Sequence, residues 1–228
     1  MELIIIIVAI IASVIIYFNM SMNKKELEKL ALDKELNTIS EKIPENIEIC
    51  KNILKKLGNN TTKIEENKDS EATLYIAISD KISIGNTHKS FTRIQTMAHE
   101  CLHSVQDRKM LIFNFIYSNI YFVYFLIICL LVVTKKLTDI MLFSNLFLIF
   151  SFIYYAIRAF LENDAMIKAQ YVAREYLEEQ KDITKEEIEK LFSGFENLNK
   201  GCIKGTNCSL FIGIMIKLVL FNALALIF

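Results

Sequence analysis

The chain alternates between two textures. Long apolar runs without internal period are separated by charged segments in which apolar residues recur every three or four positions. Leu3 to Phe18 is apolar apart from Ser13 and covers 16 residues. Leu111 to Val133 covers 23 residues and Ile140 to Ile157 covers 18, both without charge. Leu210 to Phe228 covers 19 residues and holds one charge, Lys217, which either snorkels or faces a bundle interior. Crossing a bilayer takes about 20 apolar residues of helix, so each run predicts a transmembrane helix, the first with help from its flanks. The first run is also of signal-peptide length. Glu2 is its only preceding charged side chain, however, and Tyr17-Phe18-Asn19-Met20 lacks the small-x-small pattern of a cleavage site. It is read as an uncleaved anchor.

The segments between the runs read differently. Lys24 to Ile43 is charged with Leu27, Leu30, Ala31 and Ile39 on one face, an amphipathic helix. Pro44 suits the first turn of another helix, with Ile47, Cys50, Leu54 and Leu57 as its stripe and Gly58 as its stop. Residues 59–70 read as a loop. Thr73 to Ile78 and Lys81 to Ile84 are β-prone around Ser79-Asp80, either a short hairpin or one bent strand. A break follows, with Thr87 or Ser90 as cap of the next helix. Arg158 to Gln180 continues the third apolar run as helix, Thr184 and Glu187 form a capping box for a helix to about Asn197, and residues 201–208 read as a loop.

Composition narrows the choices. Lys and Arg total 26 against 26 Asp and Glu, so no net charge draws the chain to nucleic acid. One Pro and six Gly favour helix over an all-β fold. Five Cys, an odd number with Cys129 inside an apolar run, show no disulfide framework and read as reduced thiols.

Chemistry concentrates in Met97-Ala98-His99-Glu100-Cys101-Leu102-His103-Ser104-Val105-Gln106, which contains His-Glu-x-x-His. Of three His in the chain, two are here; the third, His88, lies just upstream. Residues four apart on a helix share a face, so His99 and His103 can address one metal ion with Glu100 beside them as general base, the arrangement of a zinc metalloprotease. A catalytic zinc takes three protein ligands and an open position. The second and third apolar runs are joined only by Thr134 to Asp139, a tight hairpin that returns the chain to the face it left. Residues before Leu111 and after Ile157 therefore lie near one another. Glu162, 59 residues beyond His103, is the first carboxylate after the return and is the third ligand by topology.

With His99-Glu100-Cys101-Leu102-His103-Ser104-Val105-Gln106, a hairpin of apolar runs, then Glu162-Asn163-Asp164-Ala165 with Ala169 in register and a C-terminal apolar run, the chain resembles the YugP-type membrane zinc metallopeptidases of the gluzincin class. Ala98, Lys81-Ile82-Ser83-Ile84 and Phe91-Thr92-Arg93-Ile94 fit the same order of elements. The family's His-rich segment before the strand is replaced by Ala72 to Ile78, and its Gly before the second His by Leu102. The resemblance implies Zn2+ on His99, His103 and Glu162, catalysis by Glu100 and cleavage of peptide or protein substrates, membrane-associated ones among them.

The expected architecture is a mainly α membrane protein. Residues 1–19 are an anchor, 20–110 carry the motif helix, 111–157 form the hairpin, 158–208 carry the third ligand and 209–228 are the last span. A small α+β zincin-like catalytic part lies between the spans. Lys24, Lys25, Arg108, Lys109, Arg158 and Lys204 flank the spans on the motif side, against Lys135 and Lys136 opposite. By the positive-inside rule the protein is multi-pass in the cell membrane with its catalytic segments cytosolic. Asp164 is a candidate to orient a ligand His, and His88, Tyr154 and Arg158 are candidates to stabilise an oxyanion. An edge strand beside the site would accept an extended substrate. Two alternatives stand beside the peptidase: an inactive zinc-stabilised membrane scaffold, and an intramembrane protease. The second fits less well, because Thr92-Arg93 and Asp107-Arg108-Lys109 place the motif outside an apolar helix.

Overall fold

The computed structural model describes residues 2–70, 72–86 and 90–228. Thr87 and His88, proposed above as cap and oxyanion partner, lie outside them. The element order is α1 (Glu2–Ala31), α2 (Lys34–Ser40), α3 (Asn46–Lys56), β1 (Lys63–Asn67), β2 (Leu74–Ile76), β3 (Lys81–Gly85), α4 (Thr92–His103), α5 (Arg108–Val133), α6 (Ile140–Leu177) and α7 (Lys185–Ile227). The chain is mostly helical. α1 from Leu3, α5, α6 and α7 are each long and apolar enough to cross a membrane.

The chain divides into two compact units. The apolar unit comprises Met1–Asn23, Phe113–Phe160 and Lys204–Phe228. Its centre joins one face of α5, Tyr121, Phe125, Ile128 and Val132, to Phe147 of α6 and to Leu218 and Phe221 of α7. Ala9 of α1 packs with Ile214 and Met215. Large side chains such as Phe122, Leu130, Phe152 and Leu220 are exposed on its outside, a surface that water disfavours and lipid accepts. The turn between α5 and α6 is made by chain chemistry at both ends. Lys135 takes a left-handed conformation (φ 56°), so that Lys135 N–H and Lys136 N–H close on Val132 and Leu131 carbonyls. Asp139 Oδ1 accepts Leu142 N–H at 2.9 Å and caps α6.

The second unit comprises Lys24–Ile112 and Leu161–Ile203. Its core gathers Ile49, Cys50, Ile53 and Leu54 of α3, Ile82 and Ile84 of β3, Ile94, Met97, Ala98, Cys101 and Leu102 of α4, and Ala165, Ala169 and Ala173 of α6. Those alanines recur every four residues, so they form one small-residue ridge on which neighbours sit close. The sheet has the order β1-β3-β2. β1 runs parallel to β3 and β2 antiparallel to it, in a hairpin whose corner, Asp80, has φ 47°.

Four sequence expectations change. The helix expected over Lys24 to Ile43 breaks at Leu32-Asp33, where Asp33 accepts Leu36 N–H and starts α2. Pro44 precedes the N-cap Glu45 of α3 rather than occupying its first turn; its carbonyl is used instead, as described below. The loop expected over residues 59–70 contains β1, whose side chains are mostly exposed and whose place is set by backbone pairing. The loop expected over residues 201–208 is helix, part of α7. Gly201 marks a close approach there: a Cβ on it would stand 2.5 Å from Leu27 Cδ2. Elsewhere the local signals hold. Gly58 ends α3 with φ 71° in a Schellman arrangement, Asn59 N–H to Leu54 O and Gly58 N–H to Lys55 O. The Thr184–Glu187 capping box closes in both directions.

Candidate metal centre

Helix α4 presents two faces. Ile94, Met97, Ala98, Cys101 and Leu102 recur at helical spacing and pack into the core. That leaves His99 and His103, one turn apart, on another side. The helix is held at both ends. Near its start the buried Arg93 spends its guanidinium N–H groups on the turn between α2 and α3: Nε to Ser40 Oγ, Nη1 to Pro44 O and Asn46 Oδ1, Nη2 to Ser40 O and Ile43 O. Burial lowers the Arg93 pKa, against the pull of Glu45. Ser90 Oγ accepts Thr92 N–H just ahead of the helix. Beyond its end, Asn59 Nδ2 donates to Ser104 Oγ at 2.9 Å.

Among the described residues, one group of three or more metal-ligating side chains converges: His99, His103 and Glu162. The Nε2 atoms of the two His are 3.0 Å apart. Glu162 Oε2 lies 3.4 Å from His99 Nε2 and 3.6 Å from His103 Nε2. A tetrahedral ion with bonds of about 2.0–2.1 Å sets its donors about 3.3–3.4 Å apart, and the three separations straddle that value. In the plane of the three atoms the equidistant point lies about 1.9 Å from each, just inside a zinc bond length of about 2.0–2.1 Å. Two imidazoles and a carboxylate form a donor set that zinc takes in open, three-ligand sites. The residues fit the ion.

What orients the ligands follows from Gln106, three residues past His103. Its Oε1 lies 2.8 Å from His103 Nδ1 and accepts that N–H, which leaves the Nε2 lone pair for a metal. Its Nε2 donates to Leu161 O at 2.9 Å and to Asp164 Oδ2 at 3.1 Å, both on α6. One amide thus ties the helix of the two His to the helix of Glu162. Asp164, expected to orient a ligand His, reaches His103 only through this amide; its other oxygen pairs with Lys168 at 2.6 Å. Two residues on a helix turn a side chain by about 200°, which is why Asp164 does not share the direction of Glu162. Although partial burial opposes it, Lys168 and Gln106 hold the Asp164 carboxyl below its usual pKa.

Glu100 is buried and accepts the Tyr75 backbone N–H of β2 at 2.6 Å through Oε2. Burial pushes its carboxyl pKa up, against His99, His103 and that N–H. For His103, burial disfavours the cation, but Glu162 and Gln106 more than offset it and set the pKa above the usual histidine value. Among the described residues β2 pairs only with β3, so it is the edge strand beside the motif, with Tyr75 N–H given to Glu100. Tyr154 and Arg158 belong to the apolar unit, where Tyr154 stacks on Tyr121 at 4.9 Å. Cys101, inside the motif, turns the other way: its Sγ meets Cys50 Sγ at 3.4 Å in the core.

The contributions of Gln106 and of the Tyr75 N–H carry no metal-ligand signature in sequence. Gln106 stood in the motif that carries the resemblance, but nothing there gave it a role as the brace of His103. Compared with known proteins, the chain matches no family model, no curated protein and no solved structure.

Proposed function

We propose that this chain is a membrane-bound zinc peptidase of the YugP type that hydrolyses peptide bonds at the cytosolic membrane surface. The observation that carries the reading is the convergence of His99, His103 and Glu162, from two helices far apart in sequence, at separations suited to one tetrahedral ion. Four helices of membrane-spanning length support the membrane assignment, and the basic flanks support the cytosolic side.

Zinc, when bound, supplies Lewis acidity that lowers the pKa of water and polarises a carbonyl. His99, His103 and Glu162 would hold the ion, and Gln106 would keep His103 in the ligating tautomer. Glu100, one residue from the first ligand, accepts a proton from the attacking water and returns it to the leaving amine. Burial, which raises its carboxyl pKa above the ordinary value, makes it a better proton acceptor than an exposed glutamate. An extended substrate laid along the edge of β2 arrives beside Glu100, since Tyr75 N–H already points there.

The test uses purified chain in detergent with zinc and casein or a quenched peptide. Glu100→Gln should abolish cleavage and retain bound zinc, whereas Glu162→Ala should lose zinc. Cleavage retained by Glu100→Gln contradicts the base assignment. Zinc bound by wild type without any cleavage of a broad peptide panel supports the inactive scaffold instead.

A further inference from the structure

The four apolar runs contain a single charged side chain, Lys217. It sits deep. Lys217 is the eighth of 19 residues in its run, about 10 Å from the Leu210 end at 1.5 Å per residue. Its Nζ lies 5.3 Å from the ring centroid of Tyr121, and Tyr121 is the eleventh of 23 residues in its own run. Two separate helices therefore put the ammonium in the middle third of the span, with Nζ over the ring rather than reaching for the end.

The seat is built. Tyr121 is buried, its hydroxyl pairs with Ser151 Oγ at 3.0 Å, and its ring stacks on Phe147 at 5.4 Å and Tyr154 at 4.9 Å. Among the described residues Lys217 has this aromatic face and no hydrogen-bond or ion-pair partner. An aromatic face offsets only part of the cost of a cation at mid-depth. The face of α7 around Lys217 is open: Ile216 and Leu220 are exposed, and a Cβ on Gly213 would meet no atom within 4 Å. A small residue at such a place lets a neighbouring helix come close.

We propose that the apolar unit docks a transmembrane helix of another protein that carries an aspartate or glutamate at mid-depth, with Lys217 as its receptor. A second copy of this chain does not meet the requirement, because its runs hold no Asp or Glu and would bring a second lysine. The proposal rests on the four apolar helices being membrane spans and is independent of the metal centre.

The test uses the full chain in phosphatidylcholine vesicles and synthetic single-span Leu/Ala peptides with Lys-flanked ends. One peptide carries a central Glu, one a central Gln, and one a Glu moved to its end. Association is read by energy transfer between labels. Wild type should bind the central-Glu peptide about tenfold more tightly than the other two. Lys217→Met should lose that preference and Lys217→Arg should keep it, with helical circular dichroism and the thermal midpoint reporting that the variants are folded. Equal association of the three peptides with wild type, no association of any, or an unchanged Glu preference in Lys217→Met would overturn the proposal. The comparison of peptides on wild type stands even if a variant fails to fold.

Discussion

Replacing Gln106 by Leu removes one amide and three hydrogen bonds at nearly constant volume. The bonds are the 2.8 Å contact with His103 Nδ1, the 2.9 Å contact with Leu161 O and the 3.1 Å contact with Asp164 Oδ2. Their consequences separate. The bond to Nδ1 fixes the tautomer and strengthens when the imidazole ligates, so its loss falls on metal affinity. Losing such a partner typically costs 10- to 100-fold, or about 1.4–2.8 kcal/mol. The two bonds to α6 exist with or without metal, so their loss falls on stability, at about 0.5–1.5 kcal/mol each. Gln106→Glu restores an acceptor for Nδ1–H, cannot donate to Leu161 O and sets a carboxylate against Asp164. It should bind zinc nearly as wild type does and unfold more easily than the Leu variant. Competition against a zinc-binding fluorophore at neutral pH reads the first quantity, and urea unfolding of the zinc-free chain in detergent reads the second. If Gln106→Leu holds zinc as tightly as wild type, the amide does not orient His103 and the reasoning fails.

Two further predictions concern the frame of the site. Arg93→Leu leaves the carbonyls of Ser40, Ile43 and Pro44 without their buried donor, so it should destabilise the folded chain by about 3 kcal/mol or more, seen as a lower urea midpoint; Arg93→Lys, with three donors in place of five, should recover only part. Glu187, hydrogen-bonded by Lys42 and by the Thr184 N–H, has its pKa pulled from 4.5 down to about 2. Its stabilising effect is therefore complete above about pH 4.5 and fades as pH falls through 2. Thermal midpoints of wild type and Glu187→Gln should differ at pH 6 and converge toward pH 2, and a constant gap across that range would disprove the linkage.

The parts of the fold that were legible share a cause: their signal lies within a few residues. An uncharged run of span length needs no partner to be recognised, and the start of α6 at Ile140 follows from Asp139 capping it. Gly58 and the Thr184–Glu187 box are local in the same way. β1 was not legible because Lys63-Ile64-Glu65-Glu66-Asn67 has the composition of a loop; only its register with β3, Lys63 beside Lys81 through Asn67 beside Gly85, makes it a strand. The loop expected over residues 201–208 failed for a related reason: the segment is helix, and Gly201 within it serves the packing of Leu27 against α7. Both are cases in which a partner distant in sequence decides the conformation.

The metal group divides along the same line. Chemistry restricts which side chains can hold a metal, so His99 and His103 could be singled out from spacing, and the apolar hairpin pointed to Glu162 as the carboxylate that converges with them. Orientation is not so restricted. It is supplied by an amide, a backbone N–H and a carbonyl, groups that every stretch of chain contains. Helix α6 makes the point within one turn: Glu162 faces the imidazoles, Leu161 offers its carbonyl to Gln106, and Asp164, which reaches His103 through that amide, accepts from it as well. A rotation of α6 would move Glu162 and both anchors of Gln106 together. Glu162 and the brace of His103 are therefore set by one helix orientation, and a substitution at Asp164, acting through the Gln106 amide, should disturb His103 before it disturbs Glu162.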